Sequence, residues 1–186
     1  MKRIEEHLAH YAAYHRDRRN IATHFFGIPL IVFAVVLALA VAAFPVGGVA
    51  VSLAAVASVI ACAYWAWLDA AFGAAMAITL FLMCAAASEI TARVPDAGVL
   101  ALSAAIFAAG WALQFWGHRF EGMKPAFYDD VRQLLIGPLF VCAEVFFLFG
   151  ARPDLRRHIE DRVGPIVARR ATACDEGKAG HEERNA

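Results

Sequence analysis

Neither sign of charge is in excess: 17 Lys and Arg balance 17 Asp and Glu, so the formal net charge is zero. The global basic field of a nucleic-acid-binding chain is therefore missing, no basic stripe interleaves with aromatics, and no nucleic-acid partner is expected. Cysteine is scarce. The four thiols, Cys62, Cys84, Cys142 and Cys174, form no CxxC pair, and three of them lie inside apolar runs. That pattern implies neither a disulfide framework nor a zinc site, because Cys in such runs usually behaves as a small hydrophobe. Met1 to Asn20 lacks a short apolar core followed by a small-residue cleavage site, so no removable leader is expected. Extended polar stretches are also few. Apolar residues make up 61% of the 186 positions, against roughly half in a soluble domain.

What is present is a series of membrane-length apolar runs. Phe25 to Phe44 carries no charge over 20 residues, enough at about 1.5 Å per residue to cross a hydrocarbon core of about 30 Å. Pro45, Gly47 and Gly48 predict a tight turn. A second span is expected over Val49 to Leu68, ending in the interfacial aromatics Tyr64, Trp65 and Trp67. A third runs from Ala71 to Ser88, closed by Glu89, Arg93 and Pro95, and a fourth from Val99 to Trp116. Leu134 to Gly150 is apolar again but short, with Gly137-Pro138 near its start and Glu144 in its middle. The expected fold is all-α, a polytopic integral membrane bundle of four spans plus a short fifth apolar helix. Residues 1–150 form one membrane-embedded unit, 151–170 a basic amphipathic surface helix with Leu155, Ile159 and Val163 on one side, and 171–186 a disordered tail.

Orientation follows from the cations. Lys2, Arg3, Arg16, Arg18 and Arg19 put the N-terminus on the cytoplasmic side, and four spans return the chain there at His118. The Arg-rich tail belongs on the same side. Leu134 to Gly150 must then dip into the membrane and return, or pack obliquely.

This topology gathers His10, His15, His24, His118, Glu121 and Glu144 at one face. Gln114, His118 and Glu121 are four and three residues apart and share one side of a helix. Imidazole and carboxylate together suit a first-row metal, and two His with one carboxylate leave positions open on non-haem Fe(II). His15 and His24 are nine residues apart, about 180° around a continuous helix, so they converge only if the chain bends. Asn20, a cap former, is the expected bend. A lone His at a helix end is more often an interfacial hydrogen-bonding group than a ligand, and His158 and His181 read as solvated. Glu144, a carboxylate in an apolar run, is a ligand, a supporting partner of a ligating imidazole, or the partner of a buried cation.

Two blocks carry a resemblance. Tyr11-x2-Tyr14-His15-x4-Asn20-x3-His24-x4-Pro29, then Gln114-Phe115-x-Gly117-His118, Phe120-Glu121, Pro125-Ala126, Pro138 and Glu144, resemble the membrane-bound 2-hydroxy fatty acid dioxygenases. The resemblance spans residues 11 to 150. It implies Fe(II)-dependent α-oxidation that removes one carbon from a 2-hydroxy fatty acid with O2, at the cytoplasmic membrane face. It also implies His15, His24 and His118 as Fe2+ ligands, Glu121 and Glu144 as further catalytic candidates, and Tyr14, Asn20, Gln114 and Lys124 as substrate-binding candidates. Arg16 and Arg19 are additional cations for the carboxylate. A di-iron hydroxylase fits worse, since no HxxxH or HxxHH box occurs. From another class, a non-enzymatic lipid-binding or scaffold protein remains as the alternative.

Overall fold

Asp17 sets where the first long helix begins. In the computed structural model, which describes residues 3–123, 125 and 130–168, Asp17 has extended backbone and its carboxylate accepts from the Arg19 amide at 2.8 Å. That is an N-cap, and α2 (Arg18–Ala40) follows directly. Before it lies α1 (Arg3–Ala12), amphipathic, with Ile4, Leu8, Tyr11 and Ala12 buried and Glu6 and His10 exposed. The chain thus bends over residues 13–17. Asn20 was the expected bend, and this is a correction: it sits in the first turn of α2, because Asp17 both caps the helix and places negative charge at its N-terminus.

The turn after α2 is a β-hairpin, β1 (Ala43–Val46) with β2 (Val49–Ser52), joined by Gly47 and Gly48 at φ 58° and 83°. A two-residue loop with both φ positive matches the twist of paired strands, and glycine adopts it without a Cβ penalty. Val49 to Ser52, expected as helix, is therefore strand. Ser52 then caps α3 (Leu53–Leu68), its hydroxyl accepting from Ala55 N at 3.2 Å. Asp69 caps α4 (Ala70–Thr91) through the amides of Ala71 and Phe72. α5 (Asp96–Glu121) follows Pro95 and stops at left-handed Gly122. α6 (Gln133–Leu148) and α7 (Pro153–Val163) are bent by 116°.

α2, α4 and α5 are each long and apolar enough to cross a membrane, the bent α6–α7 pair passes the same test jointly, and α3 is apolar but shorter. The architecture is an all-α polytopic bundle, with the hairpin as its small β element.

α2 and α5 pack antiparallel through small residues. A Cβ on Gly110 would stand 3.0 Å from the Gly27 carbonyl oxygen, a Cβ on Gly117 would collide with Thr23 and Asn20, and the Ser103 hydroxyl donates to Ala34 O at 2.7 Å. Small residues let helix backbones approach closely where lipid supplies no hydrophobic drive. α6 lies across one end of the bundle. Trp65 Nε1 donates to Leu135 O at 2.9 Å near the start of α6, and Arg152, just past its end, pairs with Asp69. Trp65 and Asp69 stand within about one helical turn of each other. Both ties lie at one level of the bundle, for a segment expected either to dip into the membrane and return or to pack obliquely. α7 turns Leu155 and Ile159 inward, packs on α1, and continues to Val167, whose amide and carbonyl bond Arg16 O and Arg18 N, each at 2.9 Å. Residues 171–186 lie outside the described residues.

Candidate metal centre

The bend at residues 13–17 delivers His15, the first turns of α2 deliver His24, and the last turn of α5 delivers His118. All three are buried, and one ligand nitrogen of each lies within 4.8 Å of the others. His15 Nδ1 donates to Tyr11 O at 2.8 Å, and His24 Nδ1 donates to Asn20 O at 2.9 Å. Those bonds fix the tautomers, so the lone pairs of His15 Nε2 and His24 Nε2 face each other across 3.0 Å. Two acceptors in that geometry repel unless a cation or proton lies with them. A ligating imidazole typically gives its second N–H to a carbonyl in this way. His118 Nδ1 is buried without a hydrogen bond of normal geometry. Burial, then the neighbouring His24 and His118 rings, hold His15 well below the usual imidazole range. It is neutral, the form that binds metal. The Tyr11 ring stacks on His15, centroids 4.2 Å apart, and fixes its plane.

Glu121 shares the α5 face with His118 but points its oxygens at the bend. It accepts from Arg16 N at 3.0 Å, Asp17 N at 2.9 Å and Asn20 Nδ2 at 3.0 Å. The carboxylate thereby fastens the His15 segment to the end of α5. Glu144 is elsewhere. It lines a small pocket with Arg16, Arg156 and Glu160, beside α7. Neither carboxylate joins the three-histidine group.

Gln114 is buried and lines a cavity of about 70 Å³ together with His24, His118 and Tyr11. Asn20 holds Glu121 with its amide and His24 with its carbonyl. Tyr14 is half-buried, its ring edge-on to His10 at 5.8 Å. Arg19 pairs with Asp17 and lies over the Phe120 ring at 4.5 Å, while Arg16 donates to Gly164 O at 2.9 Å. Lys124 lies outside the described residues. Gln133 was not singled out in the sequence. It lines the same cavity, buried to 2% exposure, with Nε2 on His10 Nδ1 at 2.8 Å. The available signal was a carboxamide opening an apolar helix, one turn before Gly137 on the same face.

Apolar space adjoins this polar cavity. One neighbouring cavity of about 400 Å³ lies between α2, α3, α5 and α6 and shares Ile31, Val32, Trp111, Leu134 and Pro138 with it. Another of about 250 Å³ shares Ile28, Val32 and Pro138.

A family model described as 2-hydroxy-palmitic acid dioxygenase Mpo1-like matches residues 1–148. The 2-hydroxy-palmitic acid dioxygenase MPO1 of Saccharomyces cerevisiae is 29% identical over 160 residues, covering 84% of this chain and 87% of that relative. No solved structure matches the chain. The match includes the bend, α2, the α5 terminus and α6, and on it the chain belongs to the Mpo1-like family of 2-hydroxy-palmitic acid dioxygenases.

Proposed function

We propose that the protein is a non-haem iron dioxygenase that shortens 2-hydroxy fatty acids by one carbon at the cytoplasmic face of the membrane. The observation that carries this reading is the facing pair of imidazole lone pairs on His15 and His24 with His118 beside them, three nitrogen donors in a buried pocket. Three imidazole nitrogens suit a divalent first-row metal, so the donor set fits Fe2+. Bound there, iron supplies redox capacity and open coordination positions for an oxygen-dependent reaction.

The residues around it have separate tasks. Tyr11 O and Asn20 O hold the two imidazole protons, and Glu121 keeps the bend in register with α5. The polar cavity beside His24 and His118 accommodates a head group, and the adjoining apolar cavity of about 400 Å³ takes the acyl tail. The conversion balances as R–CH(OH)–COOH + O2 → R–COOH + CO2 + H2O. The C1–C2 bond breaks, carbon loses four electrons and dioxygen gains four. The cationic residues Arg16, Arg18 and Arg19 at this end support a cytoplasmic site.

The test is protein purified without oxygen. Wild type is expected to hold about one iron per chain, following the one three-histidine group among the described residues, and to consume O2 with 2-hydroxyhexadecanoate, yielding the acid one carbon shorter. His118→Ala is expected to lose both iron and turnover. Iron-free wild type, or a His118→Ala variant with unchanged iron and O2 uptake, rejects the reading in favour of a lipid-binding protein without catalysis.

A further inference from the structure

The larger apolar cavity beside the histidine group has a direction and an end. It joins the polar cavity through Trp111 of α5 and Leu134 and Pro138 of α6. From there it follows α2 from Ile31 to Leu39, about 12 Å of helix. α3 runs alongside it from Trp65, tied to Leu135 at the near end, to Ala54 beside the hairpin. One leaflet contributes about 15 Å of hydrocarbon, half of a core of about 30 Å, so this depth holds most of one long acyl chain.

The far end is closed. Ala54 is 1% exposed and Leu80 of α4 is 4% exposed, and together with Leu39 they form the floor. The side is open to the surroundings of the bundle. α3 packs chiefly on α4 and α2, and α5 chiefly on α2, so the cavity lies in the gap between α3 and α5, with Ala57 and Phe107 exposed on its two walls. On the α3 wall the lining residues are small. Ala54, Ala57, Ser58 and Ala61 stand at spacings that put them on one helix face, and the space exists because none of them fills it.

Resting on the function proposed above for the head group and its place, we infer that this cavity is a ruler that selects 2-hydroxy acids by chain length. The α3 face with Ala61 and Ala57 gives the tail its width, and the floor at Leu39, Ala54 and Leu80 sets the longest tail that fits. The occupant is an acyl chain because the cavity is apolar, is one chain deep, and continues directly into the polar cavity that His24 and His118 line. A tail that stops short of the floor leaves contacts unmade, and one that exceeds it must displace packed side chains.

The experiment measures binding of 2-hydroxy acids from 2-hydroxydecanoate to 2-hydroxyicosanoate to iron-loaded protein in detergent, with turnover and thermal midpoint recorded for every variant. Ala57→Leu is expected to weaken 2-hydroxyhexadecanoate about tenfold, the scale of an overpacked contact, and to leave 2-hydroxydecanoate unchanged. Ala61→Leu, one turn nearer the polar cavity, is expected to move the best-bound length to a shorter acid than Ala57→Leu does. Leu39→Ala opens the floor and is expected to raise the preference for 2-hydroxyicosanoate over 2-hydroxyhexadecanoate about tenfold. A damaged fold does not produce that gain, so the inference is tested even if the leucine variants do not fold. Ala75→Leu fills the smaller apolar cavity and is expected to leave the length profile as it is. An unchanged profile in folded Ala57→Leu or Leu39→Ala overturns the inference, as does a shift caused by Ala75→Leu. A wild type that binds the acids by length without turning them over overturns the proposed catalysis and leaves the ruler standing. One that binds no 2-hydroxy acid of any length overturns the proposed function itself.

Discussion

Glu121 occupies the position that residue spacing makes a natural metal ligand, three residues after His118, and its environment gives it another task. Three donors from the bend, Arg16 N, Asp17 N and Asn20 Nδ2, converge on its two oxygens. Glu121→Ala strands all three. At about 1–3 kcal/mol for an unpaired buried donor, partly relieved by water, a loss on the order of 3 kcal/mol is expected in denaturant unfolding, with a fall in metal content. Glu121→Gln keeps one acceptor oxygen and is expected to lose about half as much. An alanine variant with wild-type stability and metal content would contradict the anchoring role. The three histidines were legible in the sequence because their residue type and the two blocks select them. The task of Glu121 was not, because it depends on donors more than a hundred residues away. The place of Gln133 is illegible in the sequence for a similar reason: a single carboxamide at the head of an apolar run has no meaning until the cavity it lines is formed.

Helix ends carry the next level of organisation, and Asp69 does most at one of them. It caps α4 with its carboxylate and pairs with Arg152 at the α6–α7 bend. Burial alone would raise this carboxyl, but the Arg152 guanidinium and the amides of Phe72 and Ala71 outweigh it and hold it below the usual carboxylate value. A depressed folded pKa means that the unfolded chain takes up the proton first. The contribution is full above about pH 4, near the unfolded value, and is lost as pH falls through the folded one. The thermal midpoint of wild type should therefore exceed that of Asp69→Asn at pH 7, and the gap should shrink below about pH 4. A gap independent of pH would show that the pair does not stabilise the bend through charge. The register of α2 on α5 follows from Gly27, Gly110, Gly117 and Ser103. Their small size was visible in the sequence as an Ala- and Gly-rich bundle. Which of them face the partner helix was not, since almost every position in these runs is apolar and periodicity carries little information. The hairpin at Gly47-Gly48 illustrates the same limit: Val49 to Ser52 is apolar enough for a helix, and the two positive-φ glycines favour strand pairing instead.

Across the whole molecule, the ties from both ends of α6 to Trp65 and Asp69 place α1, the bend, α6 and α7 at one end of the bundle, with the hairpin at the other end of α2. Single cysteines in a background without the native thiols make this measurable. Glu6→Cys and Arg157→Cys should react with an impermeant maleimide from the same side of the membrane, and Val49→Cys from the opposite side. Reaction of Glu6→Cys and Arg157→Cys from opposite sides would make α6 a full span and dismiss the arrangement. The sequence by itself determined that the chain is a helical membrane protein, because charge-free runs of this length have no other stable fold in lipid. It also pointed to His15, His24 and His118, through the two blocks whose resemblance implies them as ligands. Tertiary structure alone decided that Glu121 fastens the bend, and that Gln114 and Gln133 share a cavity with His24 and His118. Each of these depends on groups far apart in sequence whose meeting is set by helix packing, which local pattern does not encode.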